Sequence, residues 1–199
     1  MTSSPFSKQL EDWLNGKQPK TISSLEKVFS EKSFATVVLV LMFIPALPIP
    51  TGGITHIFEI FVMLIGLEML VGIDHIWLPE KWKSKHIKSV KATKAISFII
   101  RNIRWFEKLS RPRLRSVLTQ KLFLRFTGIV FFSLALTAFL AVPFSGLDTL
   151  PSLAAVVVSL ALLLDDVVIY LIGLVIGAVG IGLVVSTGLV AGSLFGRFF

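Results

Sequence analysis

The fold class predicted by the sequence is an all-α, polytopic transmembrane helical protein, and three observations predict it. Apolar residues make up 54% of the chain and charged residues only 16%, against roughly a quarter charged in an average soluble domain. The apolar residues come in uninterrupted runs, and a bilayer is the solvent in which side chains can be apolar all round a helix. The charge is concentrated: of 20 Lys and Arg, 14 lie between Lys81 and Arg125, opposed only by Glu80 at the edge and by Glu107. A basic stretch between two apolar blocks is explained by the positive-inside bias of membrane proteins. No nucleic-acid-binding motif accompanies it.

The chain divides into four parts of one membrane domain spanning 1–199. Residues 1–32 form a polar lead, expected in the cytoplasm, without the apolar core of a signal peptide. The first apolar run, Phe34–Leu47, is therefore expected to act as an uncleaved insertion signal. Within the lead, Ser23 and Glu26 have capping-box spacing, and Ile22, Leu25, Val28 and Phe29 recur at helical spacing. A short surface helix is expected there, with a weaker one around Leu10, Trp13 and Leu14.

The first hydrophobic block covers 33–78. Phe34–Leu47 carries no charge but is short for a span, which needs about 20 residues. It ends in a break bearing Pro45, Pro48, Pro50, Gly52 and Gly53, which cannot continue a helix. A second helix is expected over 54–77, closed by Trp77-Leu78-Pro79.

Residues 79–121 form a basic amphipathic linker. Ile96, Ile99, Ile100, Ile103 and Phe106 share one helical face, flanked by Lys94, Arg101, Arg104 and Lys108. With Arg111 and Arg113, these cations are expected on the cytoplasmic surface, against anionic lipid head groups.

The second block, 122–199, offers an expected span at 122–142 and a break from Pro143 through Gly146 to Pro151. A short helix is then expected at 150–164, an Asp165-Asp166 interruption, a span at 167–185 and an apolar, Gly-rich tail. In all, about five or six membrane segments are expected, some re-entrant or broken. The two blocks resemble each other, since each has an apolar run, a proline-glycine break and then a helix with carboxylates. An internal, inverted repeat is the expectation, an arrangement that points to transporter-like sites.

Several short segments, taken in order, resemble the ExoD family of exopolysaccharide synthesis membrane proteins. They are Thr21-Ile22-Ser23-Ser24-Leu25, Trp77-Leu78-Pro79, Arg111-Pro112-Arg113-Leu114, Pro143-Phe144, Thr149-Leu150-Pro151-Ser152-Leu153 and Leu163-Leu164-Asp165-Asp166. The chain departs from the pattern at Val167, where Asp-Gly is usual, and at Glu68, where Gln is frequent. The resemblance implies a multi-pass protein of the bacterial inner membrane, linked to exopolysaccharide production and without a catalytic signature.

The carboxylates are the strongest candidates for function. An ionised carboxylate in hydrocarbon costs roughly 2.5–3.5 kcal/mol on insertion scales, so such groups face water, pair with a cation or stay protonated. Glu68, Asp165 and Asp166 are expected to line a polar path, with Glu59 and His56, three apart, adding a proton-exchanging pair. The competing readings are a structural ion pair for Glu68, with Arg125 for example, and a turn for the aspartates in which Asp166 caps the next helix. The broken elements Pro48, Pro50, Gly53, Pro143, Gly146 and Pro151 read either as re-entrant tips that coordinate solute or as tight surface turns.

Glycines four apart, at Gly173 and Gly177 and at Gly188, Gly192 and Gly196, fit either a homodimer contact or packing within the chain. No cysteine is present, and no enzyme constellation, metal-ligand set or cofactor motif stands out. The functional expectation is a small secondary transporter for a cationic solute, such as a basic amino acid, or for a proton-coupled substrate. The alternative is a non-transporting accessory protein of exopolysaccharide assembly.

Overall fold

The computed structural model describes residues 5–16, 32–48, 55–73, 76, 100, 101, 103–108, 110, 118–142 and 145–198. Among them the fold is all helical, with no strand. The elements are α1 (Phe6–Asn15), α2 (Ser33–Phe43), α3 (Thr55–Val71), α4 (Lys121–Leu140), α5 (Thr149–Leu164) and α6 (Val167–Phe198).

The core is built from α2 to α5. Helix α5 carries almost only small and aliphatic residues and is buried on every side from Ala154 to Leu163, as expected of a helix that is apolar all round and sits at the centre of a bundle. Helix α2 packs on α5, α3 packs on α4, and α6 lies along α5. Two of these contacts are made by glycine. A Cβ on Gly66 would lie 2.7 Å from the Gly128 carbonyl, and one on Gly128 would lie 2.6 Å from the Gly66 carbonyl. The backbones of α3 and α4 therefore touch, as small residues permit between closely packed helices. On the other side, Gly173 and Gly177 accept Val158, Leu134 and Ala154, and Gly180 accepts Pro151.

Helices α4 and α6 are long and apolar enough to cross a membrane, whereas α2 and α5 are shorter apolar helices. The 11 residues of α2 reach about 16 Å, roughly half a hydrocarbon core. The sequence-based count of segments included these short helices as full or re-entrant spans. Helix α3 also ends earlier than expected. At Gly72 (φ +89°) the chain turns left-handed, and the Gly72 and Ile73 N–H groups both bond the Glu68 carbonyl, which makes a Schellman stop. Conversely, α6 continues beyond residue 185 to Phe198, because glycine lowers helix propensity without ending a helix by itself.

Helix α1 is the weakly expected early helix of the lead; the segment around 22–29 lies outside the described residues. Phe6, Leu10 and Trp13 join the same apolar cluster as Ile100 and Ile103 of the linker. Ser7 fixes the register, donating from its N–H and Oγ to Glu107 at 2.7 and 2.5 Å, while Arg104 pairs with Glu11.

Candidate functional site

Two polar clusters occupy opposite ends of α3. At the end where α2 and α4 begin, the chain forms a partly open cavity of about 530 Å3. Lys32, Lys121, Arg125 and Asp165 are its charged lining, with Thr119, Gly72 and apolar walls that include Met69, Leu118, Leu124 and Leu162. Lys32 donates to Asp165 at 2.9 Å and to the Leu163 carbonyl at 2.7 Å. Asp165 closes α5 in a left-handed conformation (φ 56°), a position more comfortable for glycine. The N–H groups of residues 165 and 166 both bond the Ala161 carbonyl.

Asp166 does something different. It is 2% exposed, accepts the Val168 N–H at 2.9 Å and receives the Ser110 hydroxyl at 3.3 Å. It is thus the N-cap of α6. One turn on, Tyr170 is buried with its hydroxyl 3.0 Å from Thr127 of α4. Thr127 donates to the Phe123 carbonyl, so Tyr170 is the donor in that pair.

At the other end, Glu59 is completely buried. One carboxylate oxygen lies 2.7 Å from His56 Nδ1, and the other has no hydrogen-bond partner among the described residues. His56 also meets Phe139 of α4 edge-on at 5.2 Å. Asp148, just before α5, acts on Glu59 through its charge. Ser152, one turn along α5, is buried with its hydroxyl likewise unpartnered among the described residues.

Glu68 is not among the described residues that line the cavity. It is buried, but the residues of α3 and its cap that line the cavity are Met69, Gly72 and Ile73. Nine residues separate it from Glu59, two and a half turns and about 13.5 Å along a helix, so the two carboxylates point to opposite faces. Asp165 thus lies at the cavity end and Glu59 with His56 at the other. Between them lies closely packed apolar core, including Val62, Phe131, Ala135 and Val158.

The broken elements are compact where they are described. After α2 the backbone closes through Ala46 N–H to Met42 and Leu47 N–H to Ile44, with Pro48 exposed. Around Gly146, Ser145 takes up freed groups, donating to the Val142 carbonyl at 2.6 Å and accepting the Leu147 N–H. Pro151 is buried against Gly180. Pro50, Gly53 and Pro143 lie outside the described residues, as do Lys94, Arg111 and Arg113. Arg101 and Arg104 are exposed on the linker.

Sequence reasoning missed Lys32, Lys121, Asp148 and Ser152. A signal for the first two was present. Lys32 immediately precedes an apolar run, and Lys121 and Arg125 are four apart at the start of another. Asp148 carries no such signal, because only the fold brings its charge to bear on Glu59.

The ordered motifs have a counterpart in a family model. The model for exopolysaccharide synthesis, ExoD, matches residues 6–186. The chain belongs to the ExoD family. These are membrane-associated proteins linked to exopolysaccharide synthesis. The uncharacterized protein slr1875 of Synechocystis sp. is 29% identical to this ExoD protein over 176 residues, which is 87% of this chain and 79% of the relative. No solved structure matches it.

Proposed function

We propose that this ExoD protein is a small proton-coupled carrier whose coupling group is Glu59. The observation that carries the reading is a carboxyl group with no exposure, one oxygen on His56 and the other unpartnered among the described residues. A carboxyl held this way within an apolar helix is costly and is a functional-site hypothesis by default. His56 is part exposed and can pass a proton between Glu59 and solvent. The cavity at the opposite end is the corresponding solute vestibule, and the core between them is the closed barrier that alternating access requires. The lining of that vestibule changes the expected solute, for among the described residues three cations face one carboxylate. A cationic solute is disfavoured there and an anionic one favoured. In the bacterial inner membrane, with the linker in the cytoplasm, the vestibule would open inward.

The test is reconstitution into proteoliposomes containing a pH-sensitive dye. Addition of a transported anion should acidify or alkalinise the lumen with wild type, and Glu59→Gln should reduce the rate at least tenfold, because the amide is near-isosteric but carries no proton. A wild type that moves no proton with any solute, or a Glu59→Gln variant that moves it normally, removes the carrier reading. The accessory-protein reading would then stand. It draws support from the last part of α6, where Leu189 and Val190 are exposed and Gly188 and Gly192 have open space around them, a surface able to meet a partner or a second copy.

A further inference from the structure

We propose that the cavity between the starts of α2 and α4 is a binding site for a phosphate group, carried by a membrane lipid or as free phosphate. Charge is the first argument. Lys32 is held by Asp165 and the Leu163 carbonyl, whereas no carboxylate pairs with Lys121 or Arg125 among the described residues. Both of these line the cavity. Arg125 lies against the backbone of Gly72, where a Cβ would come within 2.9 Å of its guanidinium. A side chain at 72 would displace it.

The backbone supplies the second argument. Helices α2 and α4 both begin at the cavity, and neither has a side-chain cap or an acidic residue in its first turn. Helix N-termini carry unsatisfied N–H groups and partial positive charge, the combination that receives phosphate. Helices α3 and α5 end at the same place, but their left-handed caps turn N–H groups back onto the last carbonyls. The negative helix ends are thus partly neutralised while the positive ends stay available. Met69, Leu124 and Leu162 form apolar wall beside these cations, suited to the glycerol and first acyl carbons of a phospholipid.

As a substrate class, the phosphate group rests on the carrier reading; as a bound ligand it is tested without transport. Full-length protein in neutral detergent is titrated by calorimetry with inorganic phosphate, with dihexanoyl phosphatidic acid and with dihexanoylglycerol, which lacks the phosphate. Saturable binding of phosphatidic acid but not of dihexanoylglycerol is expected. Binding of inorganic phosphate as well would assign the site to the bare group; binding of the lipid alone would assign it to a head group.

Arg125→Gln and Lys121→Gln should each weaken binding about tenfold, as loss of one charge-assisted contact does. Both side chains are exposed, so the variants should keep the wild-type elution profile. Lys8→Gln removes an exposed charge that does not line the cavity and should leave affinity unchanged. No saturable binding of either phosphate probe, or equal weakening by Lys8→Gln, overturns the site. A wild type that binds phosphate but carries no proton keeps the site and removes the carrier reading; one that carries protons and binds neither probe does the reverse.

Discussion

The two ends of the core are built on opposite electrical plans. At the α2 and α4 starts, three cations and two uncapped helix N-termini surround open volume. At the far end, a carboxyl without exposure sits against His56, within reach of the Asp148 charge. The difference teaches what each end can do. Like charges around a cavity repel one another and are relieved by an incoming anion. A buried carboxyl in contact with an imidazole exchanges a proton without needing a cavity.

The largest expected effect comes from collapsing the distinction between the ends. Gly128→Leu would drive a side chain into the Gly66 carbonyl, 2.6 Å from the Cβ position, and backbone cannot yield as a side chain can. Overpacking of this severity should cost about 3 kcal/mol or more. Loss of monodisperse protein on size exclusion checks it; a well-behaved variant would mean that α3 and α4 can separate freely.

Glu59→Gln acts on one end only. Proton movement should fall at least tenfold, while phosphate affinity at the other end should stay within about twofold of wild type, since the two sites share no partners. Coupled loss of both would mean that the ends are not independent.

Gly72→Ala strains the left-handed cap of α3 and crowds Arg125. An apparent loss of about 1–2 kcal/mol is expected, read as a lower thermal midpoint, together with weaker anion binding.

Asp165→Asn should cost less, about 0.5–1 kcal/mol. It loses the ion pair with Lys32, whose side chain is 32% exposed, but Asn tolerates the left-handed conformation. Removing the only carboxylate among the described lining residues should also tighten phosphate binding, and unchanged or weaker binding would count against the electrostatic account of that end.

The smallest effect belongs to Gly188→Ala. The position has open space around it, so the change should be neutral or stabilising by up to about 1 kcal/mol through helix propensity. A marked destabilisation would reveal a contact between copies at the end of α6.

Much of the helical layout was legible in the sequence. The apolar runs, the proline-glycine breaks and the Asp165-Asp166 interruption fall where the helices start and stop. The direction of the hairpins was not. The inverted repeat expected from the blocks would place their open ends on opposite sides. Instead Lys32, Gly72, Lys121 and Asp165 meet at one cavity, so α2–α3 and α4–α5 open at the same end. Similarity between segments carries no information on orientation, which depends on how the hairpins dock. Glycine spacing was equally mute about its partner. Gly173 and Gly177 are filled from within the chain, while Gly188 and Gly192 are not.

The helical class and the family of this protein were readable from the sequence. Those follow from composition, from charge placement and from ordered short motifs, all of which are local properties of the chain. It also singled out Glu59, His56, Asp165 and Asp166 as residues needing an explanation, because a charge among apolar neighbours is costly wherever it lies. Only the tertiary structure decided what each one does. Asp166 became a cap, and Asp165 the partner of Lys32 across 133 positions of chain. The net charge of the cavity also arose there, because it sums residues from α2, α4 and the end of α5 that no window of sequence contains. Electrostatic energy depends on distance in space, and distances between remote segments are set by packing.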